Sequence, residues 1–202
     1  MDKLTLWSMK IKQYSKSYNL LVSATIAFAA LILQPWVNSL SWNKLAIEHS
    51  QWWRLLSGTL VHADWLHCAI NLVALAIISL LYAKLFNIWQ WLALIATLVV
   101  ISNSTLLYFT NVSDYVGLSG LLHGLFVYAL LKQFAEHKIE STLLLGATTI
   151  KLILEYFHPS GLGDQRLLGM PVATSVHRTF VMIAVCLFIV IKLAQWLRAR
   201  IN

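Results

Sequence analysis

Gly117-Leu118-Ser119-Gly120-Leu121-Leu122-His123-Gly124 sets one hydroxyl among three glycines at the head of an apolar run that ends at Lys132. From Ser119 to Leu131 this run is about 13 residues, roughly 20 Å of helix, against about 30 Å of bilayer hydrocarbon. Such a helix reaches across only if the preceding stretch, Asn111-Val112-Ser113-Asp114-Tyr115-Val116, dips below the membrane surface without being helical. Irregular backbone at that depth is tolerated where protein buries it or where it lines a wet cavity. The spacing therefore predicts a multi-span membrane bundle with Ser119 at the mouth of a short helix and the floor of a water-filled pit.

The rest of the chain agrees. Of 202 residues, 59% are hydrophobic and 11% charged, where a soluble domain carries roughly a quarter charged residues. Apolar runs fall near 20–36, 65–83, 88–109, 119–131, 141–157 and 172–196, and isolated strands cannot satisfy their backbone in lipid, so all six are read as helices. The predicted fold class is all-α, a polytopic six-helix bundle: a cytoplasmic segment over 1–19, a membrane domain over 20–197 and a short tail over 198–202. The lysines before residue 19, Lys84, Lys132, Lys138, Arg198 and Arg200 fall on one side of six spans, which places both termini in the cytoplasm. The net charge of +7 is thus an orientation signal, and nucleic acid is not an expected partner. No small-residue cleavage site follows the first run, where Gln34-Pro35-Trp36 stands instead, so that run is read as a retained helix. Cys68 and Cys186 lie inside spans without metal-ligand spacing and read as packing residues; no cofactor or metal is expected.

Helices two, four and six of this topology run inward from the outer face, and their polar residues coincide in depth. His67 and Asn71 share a face near the start of helix two, Ser119 starts helix four, and His177 lies about 8 Å into helix six. The set suffices for acyl transfer. Ser119 is the candidate nucleophile and His177 its general base and acid. His67, Asn71 and the Ser119 N–H are candidates to hold an oxyanion, with Gly117 and Gly120 permitting tight backbone and close helix approach. No carboxylate is evidently placed to orient the histidine, Asp114 being in a loop, so the expectation is a Ser–His dyad. His123 competes for the role of base from a turn deeper, where packing or substrate contact suits it better. His62 reads either as a gating, water-organising residue or as a solvated loop histidine.

Trp53-Arg54, His62, His67-x-x-x-Asn71, Gly117-x-Ser119-Gly120 and an early histidine in the last helix resemble, in that order, the rhomboid family of intramembrane serine proteases. The likeness spans about 20–196. The glycine motif continued to Gly124, with Lys151-x-x-x-Glu155, is similar to the rhombosortase branch. The resemblance implies a serine endopeptidase of the inner membrane whose site opens toward the periplasm. Its substrates would be membrane-anchored proteins with a C-terminal transmembrane tail of Gly-Gly sorting type, with water or an amine resolving the acyl-enzyme. One position departs from the pattern. Phe180 stands three residues after His177 where rhomboids usually carry glycine, which predicts a wider helix pair and a longer Ser–His hydrogen bond. An inactive rhomboid-like protein that binds membrane clients is the alternative this substitution raises.

Lys151 and Glu155, at i,i+4 in helix five, are expected to neutralise one another, with holding that helix against the core or contacting substrate as further roles open to the pair. Trp89, Trp91 and Trp196 read as interfacial anchors, Trp52-Trp53-Arg54 as an outer loop in the headgroup region, Arg178 as a snorkelling cation, and residues 159–164 as a lid above the pit.

Overall fold

The computed structural model describes residues 3–158 and 174–201. The first helix, α1 (Lys3–Leu33), is followed by a 3₁₀ turn, Gln34–Trp36, with Pro35 in its opening positions, where the missing N–H costs nothing. The outer segment then folds back on itself through α2 (Val37–Leu40), β1 (Trp42–Asn43), α3 (Lys44–Glu48) and α4 (Arg54–Ser57). Asn43 caps α3 by accepting from the Ala46 N–H at 2.9 Å. Arg54 is not a headgroup residue but a buried staple: its Nη1 donates to the carbonyls of Asn38 and Ser41, and its Nε donates to Gln51 Oε1 at 2.7 Å. Trp52 and Trp53 beside it remain about half exposed, at 53% and 52%.

Next come α5 (Trp65–Tyr82), capped by Asp64 accepting from the His67 N–H, and α6 (Ile88–Phe109), which opens on a reciprocal capping box between Asn87 and Gln90. The chain then enters β2 (Asp114–Tyr115), antiparallel to β1 with Trp42 opposite Tyr115. This two-residue pairing ties the outer segment to the stretch preceding α7 (Ser119–Gln133); α8 (Lys138–Phe157) and α9 (Thr174–Ile201) complete the described chain.

Helix α7 is the axis of the bundle. Leu121, Leu122, Leu125, Val127, Tyr128, Ala129 and Leu130 are all buried, so the helix is enclosed on every side, as an all-round apolar helix must be. It packs chiefly against α9, and also against α5, α6 and α8. Leu98 of α6 and Phe180 of α9 close the core around it. Polar side chains fasten the periphery: Asn19 of α1 donates to the carbonyls of Ala83 and Phe86, and Ser79 donates to Ser23 at 2.8 Å.

Large apolar side chains cover the outside, among them Phe28, Leu80, Tyr108, Ile150 and Met182, a surface suited to hydrocarbon. Four helical segments, 17–40, 65–85, 88–109 and 174–201, are long and apolar enough to cross a membrane. The molecule is therefore a multi-pass membrane protein. Two of the helices expected as spans fall outside that measure: α7 has only 15 residues, and α8 carries Lys138, Glu140, Lys151 and Glu155. Two expected interfacial anchors, Trp89 and Trp196, are exposed at 76% and 48%, but Trp91 is fully buried against Phe86, on the opposite side of α6. Of the cysteines, Cys68 is buried and Cys186 faces outward.

Candidate active site

Ser119 is presented by the residues just before it. Gly117 has φ of +114°, in the left-handed region, and its N–H donates to the Gly58 carbonyl at 3.0 Å. A Cβ at Gly117 would stand 2.9 Å from the His67 ring, so glycine is required by conformation and by space. The next N–H, of Leu118, donates to His62 Nε2 at 3.4 Å. Two tethers from the outer segment thus set the start of α7, and Ser119 follows as its first residue.

His177, three residues into the described part of α9, meets Ser119 from the side. Its Nε2 lies 2.9 Å from Ser119 Oγ, and its Nδ1 lies 3.1 Å from Glu155 Oε2 on α8. The second oxygen of Glu155 contacts Lys151 Nζ one turn earlier. The expectation of a histidine without a carboxylate is therefore corrected. Lys151 and Glu155 do pair, but a carboxylate has two oxygens, and the one not facing Lys151 faces His177. With Glu155 accepting at Nδ1, the ring tautomer that donates there leaves Nε2 to accept from Ser119. His177 and Glu155 are 2% and 9% exposed. A charge so placed is tolerable when paired and hydrogen-bonded on both oxygens, as here.

Phe180 does not hold the helices apart. Its ring is fully buried over Gly120, where a Cβ would come within 2.8 Å of Phe180 Cδ2 and of Val176 Cγ1. The small residue that allows close approach sits on α7 and the ring on α9, so the serine and histidine meet at ordinary hydrogen-bond distance.

The remaining site residues are gathered at the same place. The His67 ring lies against Gly117 and edge-on to His62, centroids 5.1 Å apart. Asn71 donates through Nδ2 to the His67 carbonyl at 2.9 Å. His123 is held by its own helix, with Nδ1 at 2.7 Å from the Ser119 carbonyl oxygen, and its ring stacks on His177 at 4.3 Å and 19°. It flanks the imidazole rather than reaching the hydroxyl. His62 is not a solvated loop residue: it is fully buried, its backbone paired in both directions with the Gln34 amide. Burial, with the nearby His67, pushes its pKa down to about 3, so the ring is neutral and accepts from Leu118.

A cavity of about 290 Å³ opens beside this cluster, lined by Ser119, His177, His67, Asn71, His123 and Lys151 on the polar side. Its other wall is apolar, formed by Ile70, Ala74 and Ile78 of α5 with Leu122 and Phe126 of α7. Arg178 places its guanidinium over the Tyr156 ring at 5.1 Å. The expected lid, residues 159–164, lies outside the described residues.

Glu155 is the functional candidate that sequence reasoning missed. Its signal was present: a carboxylate in an apolar helix, accounted for too soon by the lysine four residues away. Compared with known families, the chain matches the family model described as Rhomboid domain over residues 49–159, more than half its length. No curated protein matches the chain.

Proposed function

The chain belongs to the rhomboid family, whose members are usually intramembrane serine proteases, and from that premise we propose that it cleaves peptide bonds with Ser119 as nucleophile. The observation that carries this reading is the continuous hydrogen-bonded chain Ser119–His177–Glu155 at the edge of the 290 Å³ cavity. As Ser119 Oγ attacks a scissile carbonyl, its proton passes to His177 Nε2, and Glu155 stabilises the imidazolium that results. The oxyanion forms beside the α7 N-terminus, where the Ser119 N–H, His67 and Asn71 are the candidate donors. His177 returns the proton to the leaving amine, giving an acyl-enzyme on Ser119. Water, or an amine in a transfer reaction, then attacks with its proton taken again by His177.

The finer reading follows from charge and shape. Six spans, α1 and α5 to α9, bring Lys84, Lys132, Lys138, Arg198 and Arg200 to one side, taken as cytoplasmic, so that Ser119 opens toward the periplasm across an inner membrane. The local pairing of Lys151 with Glu155 makes α8 tolerable as a span. The apolar wall beside Ser119 suits a substrate that arrives as a transmembrane tail, and the likeness to the rhombosortase branch favours C-terminal Gly-Gly sorting tails of exported proteins. The client-binding alternative drew on Phe180, and the seating of that ring on Gly120 leaves the dyad distance intact.

The test is covalent labelling of the full-length protein in detergent by a serine-directed fluorophosphonate. Labelling is expected in the wild type and in His123→Ala, and none in Ser119→Ala. A label that survives Ser119→Ala overturns the assignment, and an unlabelled but folded wild type favours the client-binding alternative.

A further inference from the structure

A second cavity, of about 240 Å³, lies between α6, α7 and α9 at the end of the bundle away from Ser119. Lys132 borders it, 13 residues and roughly 20 Å along α7 from Ser119; Lys192 borders it, 15 residues and roughly 22 Å along α9 from His177. Lys132 Nζ is fixed, 4.1 Å above the Phe86 ring and donating to Gln90 Oε1 at 3.3 Å. Lys192 Nζ lies 5.6 Å from the centre of the Phe188 ring. Among the described residues no carboxylate lines the cavity and neither lysine is ion-paired.

Two like charges bordering one half-apolar space repel one another, and an anion between them converts that repulsion into attraction. The neighbourhood says which kind of anion. Exposed Trp89 at the start of α6 and Trp196 near the end of α9 mark this end of the bundle as a membrane interface. Deeper in the cavity the wall is apolar, with Leu94 and Leu187. A free ion would have no use for that wall, whereas an acyl chain would lie along it while its phosphate met the ammonium groups. The amide of Gln90 and the hydroxyl of Tyr128, which also line the cavity, supply neutral donors to the same headgroup.

We propose that this cavity binds the phosphodiester headgroup of an anionic phospholipid, held between Lys132 and Lys192. The site is separate from the peptide-cleaving cluster, and its readout does not depend on protease activity.

Native mass spectrometry of the full-length protein in detergent, titrated with phosphatidylglycerol, phosphatidylcholine or inorganic phosphate, tests it. The wild type should retain phosphatidylglycerol more strongly than phosphatidylcholine. Each lysine removed should weaken retention about fivefold, so Lys132→Gln/Lys192→Gln should lose roughly 25-fold. Arg198→Gln/Arg200→Gln removes the same charge from the same end, outside the cavity, and should retain the lipid as the wild type does. Lys132→Arg/Lys192→Arg should also bind, which separates charge from disturbed packing over Phe86. Equal retention of the two lipids, or equal weakening in the arginine-tail control, overturns the proposal. So does displacement of the lipid by inorganic phosphate at equal concentration, which would mark a site for a soluble anion.

Discussion

Glu155 on α8 reaches His177 on α9 through Oε2, 3.1 Å from Nδ1, while Oε1 stays with Lys151 on its own helix. This contact joins a helix that carries no nucleophile to the catalytic candidates, and it gives the charge pair inside α8 a purpose beyond making that helix tolerable in lipid. Glu155→Gln keeps the shape but offers an amide that can present its N–H₂ to Nδ1. That would favour the wrong tautomer of His177. Cleavage of a transmembrane substrate should fall about 10²- to 10³-fold in kcat, with KM little changed. A loss confined to KM would place Glu155 in substrate binding instead.

Lys151 should matter less. It meets the Glu155 oxygen that does not face His177, and its side chain is 42% exposed where it borders the cavity. Lys151→Met leaves the bond between Glu155 and His177 in place, so kcat should drop by less than about tenfold. The order of effects, Glu155→Gln well below Lys151→Met, is the discriminating measurement, made with both variants at equal purity in the same detergent. The reverse order would mean that Lys151, which lines the cavity with Ser119, handles the substrate directly.

The fit of Phe180 on Gly120 predicts a rescue. In Gly120→Ala the added Cβ would stand 2.8 Å from the ring, so α9 must shift and the 2.9 Å contact between Ser119 and His177 must lengthen. Fluorophosphonate labelling should slow about tenfold or more. Removing the ring alone, in Phe180→Ala, should leave labelling near wild type but cost about 3–5 kcal/mol of stability, read as a lower melting temperature. Gly120→Ala/Phe180→Ala should recover much of the labelling rate. If the double variant labels as slowly as Gly120→Ala, the ring is not what the added methyl displaces.

How much of this was legible in the chain depended on sequence distance. Over its described residues each apolar run became a helix, because lipid leaves the backbone few alternatives. Ser119 and His177 coincided in depth because helix length fixes depth. Which oxygen of Glu155 pointed at His177, 22 residues away on another helix, follows from rotation about the α8 axis, and a pattern of apolar residues constrains that only loosely. The tie between β1 and β2 was likewise silent, since two-residue strands have no period to read. Phe180 misled because a helix pair was judged from one side: the room it needed had been left at Gly120. Trp91 was read by its neighbourhood, yet the side of α6 on which it falls buries it.

His62 supplies the last prediction. Its folded-state pKa is lowered from 6.5 to about 3, chiefly by burial and secondly by the neighbouring His67, with a backbone hydrogen bond at Leu60 and then Asp64 opposing. An unfolded chain therefore takes up a proton at His62 below about pH 6.5 while the folded protein resists until about pH 3. In that window the unfolded state binds more protons, so stability rises with pH and is lost as pH falls from 6.5 toward 3. Because His62 accepts from the Leu118 N–H, protonation would also release the residue that precedes Ser119. Melting temperatures in detergent at pH 7.5 and pH 4.5 should differ more for the wild type than for His62→Gln, whose side-chain oxygen can accept the same bond and does not titrate. Parallel pH profiles for the two proteins would show that His62 is not a source of acid sensitivity, leaving the carboxylates to account for it.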